Sequence, residues 1–358
     1  MDRVIVGMSG GVDSAVAAYL LKIAGYDVIG VTLRTWVTAD GQDSRCCEID
    51  DAGQVADQLG IPYYVVNCLS EFREAVTEPF IQEYLRGQTP NPCVGCNRLI
   101  KWDKLLETAR NMQAAHIATG HYAQVVQLLN GRYTVAGALH AEKDQTYMLY
   151  RLSQEQLAVT MMPLGRLSKP EVREIAVKAG IPVADKPDSQ EICFVMDGDY
   201  AKYIEENATE EIPGEGNFVD EEGRVLGRHR GIIHYTVGQR KGLGIALGAP
   251  AYVKEIRPQS NEVVIGDEAS LYSREVFCRD LNFLSIPGLD AGSVLRCRVK
   301  IRYHHIARPA QIEMMGRENL KVLFDEPVKA AAPGQSAVFY DEDGCVIGGG
   351  VIAGKNSL

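Results

Sequence analysis

The run Asp2-Arg3-Val4-Ile5-Val6-Gly7-Met8-Ser9-Gly10-Gly11-Val12-Asp13-Ser14 constrains this chain more than any other stretch. Val4 to Met8 is apolar, β-branched and short, which predicts a buried strand. Ser9-Gly10-Gly11 breaks it. From Asp13 onward Ala15, Val16, Ala18, Tyr19, Leu20, Leu21 and Ile23 predict a helix that closes at Gly25. A strand, a glycine turn and a helix N-terminus together make an anion site: the glycines admit close approach, and the helix dipole favours negative charge. No Gly-Lys-Ser/Thr follows, which excludes the Walker loop. Ser9, Asp13 and Ser14 add two hydroxyls and a carboxylate, more than an ordinary turn needs.

The six residues Ser9 to Ser14 resemble the pyrophosphate loop of the N-type ATP pyrophosphatases, which cleave ATP to AMP and pyrophosphate. The surroundings suit a nucleotide site. Asp27–Leu33 and Tyr63–Asn67 predict further strands, a helix around Ile49–Leu59 lies between them, and Ala115–Tyr122 predicts a strand ending in Gly120-His121. Alternation of this kind implies a parallel sheet with ligands beyond its C-terminal strand ends. Leu33 then sits where a base would, or in plain core. Gln124–Gly137 predicts a hairpin about Asn130-Gly131, and Ser168-Lys169-Pro170-Glu171 opens a capped scaffold helix that ends at Gly180.

The nine cysteines are odd in number and unevenly spaced, behind a first strand that leaves no room for a leader. That pattern predicts reduced thiols in the cytoplasm. Cys46-Cys47 read as loop thiols. Cys93 and Cys96 lie in a proline-stiffened loop, Gln88–Arg98, ahead of a helix expected over Arg98–Arg110. Three readings stay open for them: a redox pair, half a metal site, or a nucleophile with a neighbour. Cys193 follows the polar, proline-turned approach Asp185–Ile192, which leaves exposure as open as burial.

At 358 residues the chain needs more than one core. We expect three blocks: 1–204, α/β, with a parallel sheet covered by helices on both faces; 205–272, a small central β domain; and 273–358, a barrel-like β domain. The acidic, Pro/Gly-broken stretch Glu205–Glu222 marks the first boundary. No run approaches the ~20 apolar residues of a membrane span. A net charge of −10 argues against a general nucleic-acid coat, so RNA contact would need local basic patches. Three stretches qualify. Gly227–Gly231 and Gly238–Gly244 are basic and Gly-rich. Over Leu295–Arg308, Leu295, Cys297, Val299, Ile301 and Tyr303 alternate with Arg296, Arg298, Lys300, Arg302 and His304, predicting a strand with one cationic face, turned either to a polyanion or to acidic neighbour strands.

Beyond the loop, Thr89-Pro90-Asn91-Pro92, Cys96-Asn97, Ala118–Tyr122, Lys143-Asp144-Gln145, Ile192-Cys193-Phe194 and Tyr235–Gly244 resemble the tRNA-specific 2-thiouridylases of the MnmA family nearly end to end. The resemblance implies an adenine nucleotide alpha hydrolase-like first domain and adenylation, by ATP, of the C2 oxygen of the wobble uridine in tRNAs of the Lys, Glu and Gln type. Sulfur would come from a persulfide on Cys193, filled by an upstream cysteine desulfurase or sulfur-relay protein. Cys96 would be the nucleophile and end in a Cys96–Cys193 disulfide. Gly7, Met8, Ser9, Gly10, Gly11, Val12, Asp13, Ser14, Leu33 and Gly120 would hold ATP, with magnesium beside the triphosphate. His121, Lys143, Asp144, Gln145, Arg302, Tyr303 and Gln335 would touch tRNA. Cys93 departs from the family, many members having an Asp there that is credited with acid–base work. With Cys96 and Cys193 it makes a three-thiol set able to ligate a [4Fe-4S] cluster, the alternative to the persulfide. Rival functions are an AMP-forming ligase acting on a small metabolite and a non-catalytic tRNA or nucleotide binder.

Overall fold

Val4, Ile5 and Val6 have no exposed surface, so the sheet they enter is covered on both faces. The structure, a computed structural model, describes residues 1–38, 48–187, 192–245 and 248–354. Cys46-Cys47 and the stretch 188–191 lie outside the described residues. Contacts divide the chain into two units. The first takes Met1–Val76, Pro92–Gly198 and Asp343–Ile347; the second takes Thr77–Asn91, Asp199–Glu342 and the chain from Gly348.

The first unit holds strands β1 (Arg3–Gly7), β2 (Asp27–Arg34), β3 (Tyr63–Asn67), β4 (His116–Ala118), β5 (Gln124–Gln127), β6 (Tyr133–Ala136) and β7 (Thr160–Met161). Five of them form a sheet in the order β3-β2-β1-β4-β7, every pair parallel. Helices α1 (Val12–Ile23) and α2 (Ile49–Leu59) connect the first three strands. Val4, Val6 and Met8 share a core with α1, α2 and the helix Lys169–Lys178. The opposite face carries the helix Asp103–Asn111: a Cβ on Gly7 would stand 3.1 Å from Leu105 Cδ1. Strand periodicity thus puts helices on both faces, as expected. Gly25 and Gly60 end α1 and α2 at φ +92° and +58°, conformations that favour glycine.

Three predicted elements appear as expected: the β5–β6 hairpin about Asn130-Gly131, the helix α2, and the capping box in which Ser168 and Glu171 satisfy each other's backbone N–H. Two differ. β4 stops at Ala118, so Gly120-His121 lie beyond the strand end. The helix expected from Arg98 begins at Pro92 and runs, through a π-helical turn at Asn97–Trp102, to Asn111. Proline suits a first helical position because its missing N–H would have no helical partner there.

The second unit contains a four-stranded sheet of β8 (Gly216–Val219), β9 (Val225–His229), β10 (Tyr252–Arg257) and β11 (Glu262–Gly266) in the order β10-β11-β8-β9. Six more strands, β12 (Tyr272–Phe283), β13 (Val294–Lys300), β14 (Arg308–Met314), β15 (Leu320–Lys329), β16 (Ser336–Tyr340) and β17 (Val346–Ile352), close into the expected barrel. Ala310, Ile312, Met314, Leu320, Val322 and Phe324 alternate into its core, and closure leaves no strand edge. The helix Glu78–Leu85 belongs to this unit: Tyr84 stacks on Tyr200 at 4.7 Å, and Thr89 is held by Pro333 O at 2.8 Å and Gln335 Nε2 at 2.7 Å. The alternation predicted over Leu295–Arg308 holds to Lys300 and then fails. Cys297 and Val299 are buried while Arg296 and Arg298 are exposed, but residues 301–305 turn.

Candidate active site

The glycine turn beyond β1 is built for close approach. Gly10 has φ +77°, and a Cβ there would lie 2.6 Å from both Cβ and O of Glu48. From the neighbouring strand, Gly120 closes in: its Cβ would sit 2.7 Å from Asp13 C and Ser14 N. Gly11 caps α1 without a side-chain hydrogen bond, which leaves the first N–H groups of that helix without a capping side chain at Gly11. The Ser14 hydroxyl is committed to the loop itself, accepting from Ser9 N at 3.1 Å and donating to Gly11 O at 3.1 Å. Met8 and Val12 point into the core and offer backbone alone. Leu33, 9% exposed, lies one residue before the end of β2, beside Val66 of β3.

Asp13 is held by two groups that the sequence did not mark as site residues. Tyr122 donates its hydroxyl to Asp13 Oδ1 at 2.7 Å, and the Lys169 ammonium reaches Oδ1 and Oδ2 at 2.7 and 2.9 Å. Lys169 is 9% exposed. It comes from the first turn of the helix read as scaffold, 156 residues away in sequence. A second lysine guards the other side. Lys186 binds both Glu48 and Asp51, whose charges outweigh burial, the largest single influence, and raise its pKa. Arg173 fixes the same segment through Ala184 O at 2.8 Å and Lys186 O at 3.0 Å. The chain leading toward Cys193 is thereby tied to the residue that abuts Gly10.

Cys93, Cys96 and Cys193 are unbridged thiols: the first exposed, the second 7% exposed, the third half-buried. Cys93 and Cys96 occupy the first turns of the helix from Pro92. Beside Cys96, Asn97 is 3% exposed and donates to Met148 O at 3.2 Å, while its Oδ1 is buried without a hydrogen bond. Phe194, next to Cys193, packs edge-on to Phe72 at 5.8 Å. Among the described residues no three His, Cys, Asp or Glu side chains are grouped to hold a metal ion.

His121 stands beyond β4, bonded to Thr119 Oγ1 at 2.9 Å and 5.2 Å from the Trp102 ring. Burial, then the Lys101 charge, push its pKa down to about 3, so the ring is neutral near pH 7. Gln145 pairs with Tyr122 through Oε1 at 2.8 Å and its own N–H at 3.0 Å, and Asp144 caps Thr146 at 2.7 Å. Lys143 ends a short helical turn just before them. In the second unit Arg302 donates to Val237 O and Ala330 O, both at 2.9 Å, and Tyr303 lies 5.5 Å under the Lys300 ammonium. Gln335 spends its amide on Thr89.

A family model described as the tRNA methyl transferase HUP domain matches residues 2–197; the corresponding PRC-barrel domain matches 201–267, and an aminomethyltransferase β-barrel domain matches 273–352. Three curated relatives are each described as tRNA-specific 2-thiouridylase MnmA. That of Lachnoclostridium phytofermentans is 52% identical over 98% of this chain and 99% of its own. That of Acetivibrio thermocellus is 50% identical over 98% and 99%, and that of Clostridioides difficile 48% over 98% of each.

Proposed function

Because the chain belongs to the MnmA family of tRNA-specific 2-thiouridylases, it is a tRNA sulfurtransferase that uses ATP, and we propose how its own residues divide that work. Labour follows the blocks 1–204 for activation and sulfur transfer, and 205–272 and 273–358 for RNA. The substrate atom is the C2 oxygen of a wobble uridine, in tRNAs for Lys, Glu and Gln.

ATP lies with its phosphates on Gly7 to Ser14 and its base toward Leu33 and Gly120. Support comes from the approach that Gly10 and Gly120 permit and from the uncapped start of α1. Asp13 and Glu48 are already neutralised by lysines, so magnesium would be held by phosphate oxygens and water. The uridine oxygen attacks the α-phosphorus and pyrophosphate leaves. The loop amides stabilise charge on the departing group.

The terminal sulfur of a Cys193 persulfide then bonds to C2, and the C2–O bond breaks to release AMP. Cys96 attacks the Cys193 sulfur; the electron pair of the broken S–S bond stays on the sulfur attached to C2. The products are 2-thiouridine and a Cys96–Cys193 disulfide, which an external thiol reduces. A sulfur-relay partner refills Cys193 in the reducing cytoplasm. Cys93, exposed at the second helical position, occupies the place where many family members have an Asp.

One observation carries the reading: near-complete coverage by relatives of about 50% identity, with a glycine-cradled loop at the residues expected to hold ATP. The test is 2-thiouridine formation on unmodified tRNA-Lys, with ATP, a persulfide donor and iron-free protein. Product establishes persulfide chemistry. Product that appears only after anaerobic iron–sulfur reconstitution overturns it.

A further inference from the structure

Lys169 and Arg173 stand four residues apart in the helix Lys169–Lys178 and so share one face of it. Each holds a different part of the first unit. Lys169 grips both carboxylate oxygens of Asp13 in the glycine loop. Arg173, one turn further on, donates to two carbonyls, Ala184 O at 2.8 Å and Lys186 O at 3.0 Å. A planar guanidinium that grips two backbone carbonyls fixes the path of the chain, which the point charge of a lysine would not. The gripped stretch is packed as well as bonded: Ile181, Val183 and Ala184 are buried in the core that α1 and α2 share.

Lys186 adds a further point of attachment. Its ammonium binds Glu48 and Asp51 at the start of α2. Glu48 is the residue that leaves no room for a Cβ on Gly10, and its N–H donates to Ser9 O at 3.4 Å. The root of the chain that leads to Cys193 is therefore bonded to the glycine loop from two sides, through the helix Lys169–Lys178 and through the start of α2. Just past Cys193 the chain is fastened again, where Phe194 is buried edge-on against Phe72 and Val195 is buried after it. A scaffold that only had to keep the sheet covered would not need its polar contacts to converge on the loop and on this root.

We propose that Arg173 and Lys186 are positioning residues of the sulfur-transfer step: they set the root of the Cys193 segment against the glycine loop, so that sulfur arrives where the activated oxygen lies. This rests on the thiolation reading above, with Cys193 as the sulfur carrier. The two half-reactions meet at one carbon. The C2 oxygen is bonded to phosphorus at the loop, and the persulfide must reach C2 while that bond lasts. Transfer between held groups is fast only when the reacting atoms are already near contact, and a displacement of about 1 Å costs on the order of 100-fold. Neither residue touches a reacting atom; each acts through the chain it holds. Activation needs only ATP on the loop and the uridine beside it. Loosening the root therefore spares the first half-reaction and slows the second.

Single turnovers of the full chain test this, with Cys193 preloaded from a persulfide donor, the load counted by alkylation, and unmodified tRNA-Lys at saturating ATP. Pyrophosphate release reports activation, and 2-thiouridine reports transfer. In Arg173→Met, pyrophosphate release should stay within about 2-fold of the unaltered protein while 2-thiouridine forms at least ~10-fold more slowly. Lys186→Met also leaves Glu48 without its cation, so it is read by the ratio of transfer rate to activation rate, which should fall ~10-fold. Lys186→Arg, which keeps charge and reach, should restore that ratio. A merely structural loss lowers both rates together, so an unchanged ratio in either Met variant overturns the role of that residue. Should Arg173→Met melt early, Arg173→Lys decides by the same ratio. Failure of the unaltered protein to form 2-thiouridine overturns instead the thiolation reading on which the proposal rests.

Discussion

Lys169 solves an electrostatic problem that the loop creates for itself. Asp13 places a carboxylate beside the proposed polyphosphate site, where an uncompensated negative charge would oppose binding. The Lys169 ammonium on both of its oxygens cancels that charge. Lys169→Met should therefore weaken ATP binding by at least ~10-fold, since the partly buried Asp13 carboxylate would then repel the phosphates uncompensated. Adding Asp13→Asn to the same chain should recover most of that loss in equilibrium dialysis. If the double variant binds no better than Lys169→Met, the lysine touches phosphate directly. His121 gives a second residue-scale expectation. Its pKa is depressed from 6.5 to about 3, so between those values the unfolded chain binds the extra proton. Stability is full above about pH 6.5 and falls as pH drops toward 3. Denaturant unfolding of His121→Gln at pH 7 and pH 4.5 should show a smaller pH loss than the unaltered chain; equal losses would remove His121 from the account.

At the scale of elements, local pattern and tertiary contact separate what the sequence could disclose from what it could not. β1, the glycine turn and α1 were legible because strand period, turn chemistry and helix period meet within fourteen residues. The capping box was legible for the same reason, and Ser168→Ala should cost about 1 kcal/mol, read as a lowered denaturation midpoint with unchanged slope. The start of the helix at Pro92 was misjudged, although proline is itself a first-turn signal, because two prolines with an intervening Asn suggest loop. Its consequence is chemical: Cys93 and Cys96 are helix residues, one exposed and one buried, in a segment whose π-helical turn is of a kind often found at functional sites. Cys93→Asp should retain substantial 2-thiouridine formation, whereas Cys193→Ser should abolish it and leave ATP binding intact. Loss of thiolation in Cys93→Asp would mean that this thiol has a task no carboxylate can do. Arg302 was misplaced because the alternation of charges continues past Lys300 while the strand does not. The contacts of Lys169, Gln335 and Arg302 each join residues far apart in sequence, and periodicity carries no signal for such pairs.

Over the whole molecule, the two units are not consecutive lengths of chain. The backbone passes between them after Val76, Asn91, Gly198, Glu342 and Ile347. The last short return, Asp343–Ile347, completes the first unit: Cys345 bridges to Ala136 of β6, and the Thr134 hydroxyl donates to Val346 O at 2.5 Å. A chain stopped at Gly198 should therefore exchange the amide hydrogens of β5 and β6 faster than the full chain does, by about the opening free energy those bonds supply. Equal protection would show that the return segment is ornamental. If it is not, the order of synthesis matters. The glycine loop after β1 leaves the ribosome well before Asp343–Ile347 does, so the unit that carries it stays unfinished until that segment has been translated. A stalled or prematurely terminated product would then be left with its hairpin unlatched, open to proteases that the full-length chain resists.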